Sequence, residues 1–161
     1  MLVFGQQKFL IQQITINMIK QIINYFKSKR ISLVRLDEQE IKRSLPEINY
    51  KILNPARHYL LDADYKSCSI AEFKSLLKKD FTNWKIYHKD YDCDNFAFRL
   101  YSNLKNKYPK LAVGIVFSDG HAFNVFVDNE GFAWYVEPQN DKIYSYSKLT
   151  KKYKSIYLII I

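Results

Sequence analysis

Three residues of the types that cooperate in nucleophilic catalysis occur in the order cysteine, histidine, acid. Cys93 lies in YDCDNFA, His121 follows the turn glycine Gly120, and Glu137 ends the stretch FAWYVE. A thiolate attacks a carbonyl when a histidine takes its proton and an acidic group orients that histidine. The order therefore indicates a cysteine hydrolase or acyl transferase that acts on peptide or isopeptide bonds through a thioester intermediate.

The surroundings of Cys93 carry opposing signals. Asp90, Asp92 and Asp94 crowd the thiol, and nearby negative charge disfavours the thiolate. If Asp92 is the N-cap, however, Cys93 is the first residue of a helix, where the partial positive charge favours the thiolate. The apolar residues that follow share the face of Cys93, so the thiol points toward the core; they are Phe96, Ala97, Leu100 and Leu104. A lone cysteine in that position is also commonly a small apolar residue that packs against the core.

The loop DNEG decides whether His121 and Glu137 meet. Side chains alternate along strands, so the two share a face only if the hairpin loop has an odd number of residues. A three-residue loop, 129–131, with Gly131 in the left-handed region meets this condition. It pairs Asp128 with Phe132 and leaves His121 one diagonal from Glu137.

The periodicity predicts helices first and strands afterwards. Apolar residues recur at helical spacing over 6–29, 37–45 and from Ser69, with N-caps at Asp37 and Ser69, and again from Cys93 to Lys107. The period then changes to two in 111–117, 121–127 and 132–138, and two further strands are expected in KIYSYSKL and SIYLIII. This order predicts a single α+β domain over 1–161, with 1–30 a helical extension.

Composition restricts the class of protein. Two cysteines do not make a disulfide framework, and we interpret Cys68 as structural. The net charge is +9, of which residues 1–60 contribute +6. Because no DNA- or RNA-binding signature accompanies this charge, we read it as a solvated face and do not expect a nucleic-acid partner. No stretch is long and apolar enough to span a membrane, and we expect a cytoplasmic protein.

Three motifs together resemble a known family. YDCDNFA, GHAFNVFV and WYVEPQND resemble the papain-like domain of a fungal ring-mushroom agglutinin and, more closely, small archaeal, bacterial and phage proteins described as lectin-like or transglutaminase-like; the likeness covers 59–141. The resemblance implies a papain-like fold, with Cys93 as nucleophile, His121 as base and Glu137 as orienting acid. It also implies calcium held by Asp90, Asp92 and Asp94, because Ca²⁺ takes oxygen ligands and its charge would favour the thiolate.

Other interpretations stay open at this point. Asp92 and Asp94 also suit a helix start without any metal. The glutamine that papain-like proteases place before the cysteine is absent, so Trp84, His88 or a backbone N–H would have to stabilise an oxyanion. The main alternative is a non-catalytic binding or structural module on the same fold, including one encoded by a virus, with a basic surface. A zinc site of Cys93, His121 and a carboxylate is the least supported, because the spacing is not compact.

Overall fold

A six-stranded sheet forms the centre of the fold and supports the helix that begins at Cys93. The structure is a computed structural model, and it describes residues 31–46 and 57–161. The strands are β1 (Val34–Asp37), β2 (Arg57–Tyr59), β3 (Asp64–Ser67), β4 (Val113–Ser118), β5 (His121–Val127), β6 (Ala133–Glu137), β7 (Lys142–Ser145) and β8 (Ile156–Ile160). The helices are α1 (Glu38–Ser44), α2 (Ile70–Leu77), α3 (Cys93–Lys107) and α4 (Lys151–Lys154), with 3₁₀ turns at Thr82–Trp84 and Tyr146–Lys148.

The large sheet has the strand order β2-β8-β4-β5-β6-β7, and β1 pairs with β3 in a second, two-stranded sheet. Every pairing in the large sheet is antiparallel except that of β2 with β8. Antiparallel neighbours can be joined by short loops, and β4 to β7 follow one another in this way. The α+β class and the meander predicted from the sequence are confirmed, since β4, β5, β6 and β7 lie side by side in chain order.

The position of β8 is a feature that the sequence did not predict. The chain crosses from β7 at one side of the meander and adds β8 beside β4. Gly114 makes this possible, because a Cβ atom there would lie 2.2 Å from the carbonyl oxygen of Ile160. Only glycine allows two backbones to approach so closely.

The two faces of the sheet bury different sets of side chains. On one face Val116, Phe123, Val125 and Tyr135 join a large apolar cluster that includes residues of α1, β1 and β3. On the other face α3 packs through Ala97 on Ile115 and Ala122. Phe73 of α2 stacks on Phe126 of the same face, with ring centroids 3.9 Å apart. The helices therefore cover both faces of the sheet, with α1 on one and α2 and α3 on the other.

The predicted helix starts are confirmed by their hydrogen bonds. Asp37 and Glu40 form a capping box at the start of α1, and Ser69 and Glu72 form another at the start of α2. In each, the cap side chain accepts from a backbone N–H and the glutamate accepts from the cap N–H. Both helices therefore begin where the sequence places them.

Some predictions lie outside the described residues. The helix over 6–29 and the strand-like segment EINYKILN belong to this group. Ser32–Ile161 forms one compact unit, and the domain limits proposed from the sequence stay a prediction. Within 31–46 and 57–161, no helix is both long and apolar enough to cross a bilayer.

Candidate functional site

His121 and Glu137 form a close polar pair at one end of the sheet. The distance from His121 Nε2 to Glu137 Oε2 is 2.7 Å, and both side chains are about nine-tenths buried. The second carboxylate oxygen accepts from the backbone N–H of Gln139 at 3.3 Å. A buried carboxylate needs such partners, because desolvation without them is costly. When Nε2 donates to Glu137, Nδ1 is the ring nitrogen left to accept a hydrogen bond.

The β5–β6 hairpin brings the pair together as its loop length predicts. The N–H of Asp128 donates to the carbonyl of Phe132, and Asn124 pairs with Val136, which makes Glu137 the next residue opposite Phe123. Gly131 has φ = 83°, the left-handed conformation that the three-residue loop requires. The Asp128 carboxylate fixes the loop by accepting from the N–H of Glu130 and of Phe132. The predicted register is confirmed.

Tyr153 of α4 covers the His121 ring. The two rings stack with centroids 4.6 Å apart and an interplanar angle of 16°. Burial raises the pKa of the Tyr153 hydroxyl, and electrostatic interactions with Glu137, Tyr144 and Cys93 add to the effect. Tyr153 therefore stays neutral and lies within electrostatic range of both Glu137 and Cys93. No sequence pattern pointed to this residue, because it lies on the crossover to β8.

Cys93 is the first residue of α3, and Asp92 is its N-cap, as predicted. The thiol is partly buried against Ala97, Ile115 and Ala122. Alternation along β5 places His121 on the face opposite to Ala122. In the described part of the chain, no hydrogen bond joins the Cys93 thiol to His121. The structure thus joins His121 to Glu137 directly, and Cys93 is close enough to Tyr153 to affect its pKa.

The three aspartates near Cys93 act at the start of α3. The backbone N–H of Asn95 donates to Asp94 Oδ1 at 2.7 Å, and Asn95 Oδ1 accepts from the N–H of Asp92 at 3.0 Å. A hydrogen bond with Asp94 raises the pKa of the Asp92 carboxyl, with burial as a smaller cause. Asp90 contributes its N–H to His88 Nδ1 at 3.3 Å.

The resemblance implies calcium at the three aspartates near Cys93. Over 31–46 and 57–161, no three His, Cys, Asp or Glu side chains lie close enough together to hold an ion. Calcium needs six or more oxygen ligands. Calcium binding by Asp90, Asp92 and Asp94 stays a prediction, and calorimetric titration of the chain and of its Asp94→Asn variant tests it.

Cys68 is fully buried, and burial raises the pKa of its thiol to about 12. It lies directly before the N-cap of α2, and its carbonyl accepts from the N–H of Asn129. A thiol in such surroundings is inert. Its position agrees with the structural role inferred from the sequence.

An exposed apolar segment beside α3 was not recognised as functional from the sequence. Phe81, Trp84, Ile86 and Tyr87 are 54%, 75%, 82% and 55% exposed. The segment precedes Cys93 in the chain. It is linked to α3 by Tyr87, which packs on Phe96 as Tyr91 does. Its high content of aromatic residues without helical or strand periodicity was the available signal. We call residues 81–87 the aromatic loop.

Comparison with known proteins gives structural neighbours only. No family model matches the chain, and no curated protein matches it. One similar solved structure is PSL1a in complex with E64, with a TM-score of 0.64 and 17% identity over 79% of this chain and 51% of that one. Another is Polyporus squamosus lectin bound to the human-type influenza-binding epitope Neu5Aca2-6Galb1-4GlcNAc, with a TM-score of 0.53 and 17% identity over 65% of this chain and 42% of that one.

These neighbours establish a lectin-like fold relation and correct the main functional prediction. The chain spans about half the length of the solved chains. The prediction of a cysteine hydrolase or acyl transferase is contradicted by these neighbours, which are lectins. The description of the chain as a protease or hydrolase with a catalytic triad lacks support for the same reason, whereas its likeness to lectins is supported. The alternative, a non-catalytic binding module, fits the findings better.

Proposed function

We propose that this chain is a binding module whose contact surface is the aromatic loop beside the amino end of α3. The observation that carries the proposal is the exposure of four large apolar side chains within seven residues. Soluble proteins seldom expose such a group unless it contacts a partner.

We also propose that the fold is papain-like, supported by a helix that begins at Cys93 and packs on an antiparallel sheet.

The chemistry of the aromatic loop favours a protein partner. Trp and Tyr dominate the energetic centres of protein interfaces, and Ile86 offers an aliphatic contact that suits apolar side chains. Lys85 in the loop and Lys89 just after it are exposed, and they favour acidic residues next to those apolar groups. The partner is therefore a peptide segment with aromatic or aliphatic side chains flanked by Asp or Glu.

Cys93, His121 and Glu137 have a supporting role in this proposal. The His121–Glu137 pair joins the starting end of β5 to the last residue of β6, and Cys93 packs the start of α3 on Ala122. The Cys93 contact holds the start of α3 and therefore Phe96, against which Tyr87 of the aromatic loop packs. Replacing Cys93 by Ser should leave partner binding unchanged.

The experiment is selection of peptides from a displayed random library, followed by affinity measurement on the purified chain. We expect peptides that bind in the micromolar range and lose at least about tenfold in affinity for the Trp84→Ala variant, since hot-spot truncations cost 1.4 kcal/mol or more. Phe132→Ala is the matched control, because Phe132 is 60% exposed but lies at the other end of β6. Equal loss for both variants, or no loss for Trp84→Ala, would contradict the proposal.

Glycan binding is a second candidate, favoured by the lectin neighbours. The glycan-bound neighbour is matched over only 42% of its length, so the matched part need not contain its glycan site. Titration of this chain with Neu5Aca2-6Galb1-4GlcNAc tests the candidate directly. Saturable binding that Trp84→Ala removes would replace the peptide partner by a glycan on the same surface.

A further inference from the structure

A polar cluster anchors the aromatic loop to the turn between β6 and β7. Asn83 Nδ2 donates to Asp141 Oδ2 at 2.9 Å, which joins the loop to that turn. Asp80, just before the loop, accepts from the N–H of Thr82 at 2.9 Å and from Asn103 Nδ2 of α3 at 2.8 Å. Three separate elements therefore meet at two carboxyl groups. We call Asp80, Asn83, Asn103 and Asp141 the carboxyl clasp.

One atom of the carboxyl clasp lacks a partner. Asn83 Oδ1 is buried and accepts no hydrogen bond within the described residues. A buried acceptor without a donor destabilises the structure, because its bonds to water have been lost. Asn83 already holds Asp141 through its amide N–H. A protonated Asp141 would have an O–H group to donate to the same amide, and acid and amide would then be joined by two hydrogen bonds.

The backbone of Asp141 has a conformation that is unfavourable for most residues other than glycine. Its φ is 57°, in the left-handed region, where non-glycine residues are uncommon. Aspartate and asparagine enter this region more readily than other residues. The hydrogen bond from Asn83 helps to keep Asp141 there, so a change at Asp141 is transmitted to the loop that carries Trp84.

We propose that protonation of Asp141 strengthens the attachment of the aromatic loop through the carboxyl clasp, and that loss of this proton weakens the attachment. In the protonated state Asp141 donates to Asn83 Oδ1 while still accepting from Asn83 Nδ2. In the ionised state the Asn83 oxygen has no donor, and the two carboxylates repel each other. The carboxyl clasp regulates the surface described above and rests on that proposed function for its biological consequence.

Burial and nearby charges set the pH range in which Asp141 gains or loses its proton. Burial, and to a lesser extent the charge of Asp80, raises the pKa of the Asp141 carboxyl to about 6. Asp80 is the ionisable group facing it from the α2–α3 connection, whereas Asn103 and Thr82 are neutral. Lys142, the next residue along the chain, is exposed. The protonated state is thus populated just below neutral pH.

The test follows the two tryptophan indole N–H signals of the ligand-free chain by NMR as the pH is varied. Trp84 reports on the aromatic loop, and Trp134 is an internal control because its Nε1 donates to Asp128. We expect the Trp84 signal to shift with a midpoint near pH 6 and the Trp134 signal to lack that midpoint. Asp141→Asn, which tolerates the same φ and always offers an N–H donor, should abolish the Trp84 midpoint.

Two further controls exclude other causes of a pH-dependent Trp84 signal. Histidines in general titrate near pH 6.5, and His88 lies close to the loop, so the titration is repeated in a His88→Gln background. It is also repeated with calcium and with a chelator. A midpoint that disappears with His88→Gln, that persists in Asp141→Asn or that depends on calcium overturns the clasp.

The clasp and the proposed function can fail independently. If the clasp holds, a selected peptide binds about fivefold more weakly at pH 7.5 than at pH 5.5, the lower end of usual coupling between sites, and Asp141→Asn removes the difference. Binding that Trp84→Ala does not affect would remove the proposed function, while the NMR midpoint of the ligand-free chain would still stand. A normal peptide affinity without any Trp84 midpoint would remove the clasp alone.

Discussion

At the scale of single residues, the contact between His121 and Glu137 is the best-defined polar feature of the chain. Both side chains are nearly buried and separated by 2.7 Å, so neither is well solvated. A buried pair contributes little net stability compared with apolar residues, but removing one partner leaves the other unpaired in a poorly solvated place. The arrangement therefore makes each of the two residues sensitive to substitution.

We expect His121→Ala to lower the free energy of unfolding by about 3 kcal/mol, because the Glu137 carboxylate then loses its partner in a buried site. Urea unfolding at pH 7 measures this loss. The double variant His121→Ala/Glu137→Gln should recover part of it, since the uncompensated charge is gone. A single variant as stable as the parent chain would show that water already solvates Glu137.

The two thiols should differ sharply in accessibility. Cys68 is fully buried with a pKa of about 12, whereas Cys93 is partly exposed at a helix start. Iodoacetamide at pH 8 should therefore modify Cys93 in the folded chain and leave Cys68 unmodified until the chain unfolds, because only the thiolate reacts. Mass spectrometry of proteolytic peptides over time gives both rates. Comparable rates at the two sites would contradict the burial of Cys68.

At the scale of elements, close approach between β4 and β8 depends on one glycine. The nearest neighbour of an added Cβ at Gly114 is a backbone oxygen, which cannot rotate away as a side chain can. The strands would have to separate, and their hydrogen bonds would lengthen. The loop glycine Gly131 differs, because its constraint is a φ of 83° and the nearest atom is 3.7 Å away.

We expect Gly114→Ala to destabilise the fold by about 3 kcal/mol through this overpacking. Gly131→Ala is the matched control and should cost about 1 kcal/mol, the penalty of the left-handed region for an L-residue. Denaturant unfolding of both variants measures the difference. An equal loss of unfolding free energy at the two positions would mean that β8 moves away from the added methyl group at little cost.

At the scale of the whole molecule, stability should depend on pH through the carboxyl clasp. The folded pKa of Asp141 is raised to about 6 from its ordinary value of 3.8. A raised pKa means that the stabilising contribution is fully present below the unfolded pKa and is lost as the pH rises through about 6. The chain therefore gains stability through this group as the pH falls from 7 toward 4.

Asp141→Asn should remove this dependence. We expect the variant to be more stable than the parent chain at pH 8 and to differ less from it at pH 4.5, where Asp141 is largely protonated. The urea midpoint at the two pH values, compared between parent and variant, gives the result. Since other groups titrate in both chains, only the difference between them reports on Asp141. A difference that does not change with pH would contradict the raised pKa.

Much of the fold could be predicted because its signals are local. The starts of α1 and α2 follow from N-cap residues that bond to the backbone within one turn. The register of β5 and β6 follows from the length of a single loop, and it carries His121 to Glu137. Only short-range geometry enters these inferences, so the sequence contains all that they need.

The sequence by itself determined the α+β order, the helix that begins at Cys93 and the face that His121 shares with Glu137. The tertiary structure decided what these features lie next to. Tyr153 over His121, β8 beside β4 and Asp141 beside Asn83 all depend on segments far apart in the chain, whose meeting is fixed by packing and not by propensity. The same holds for the aromatic loop, because whether an apolar side chain is buried or exposed depends on what the rest of the fold places over it.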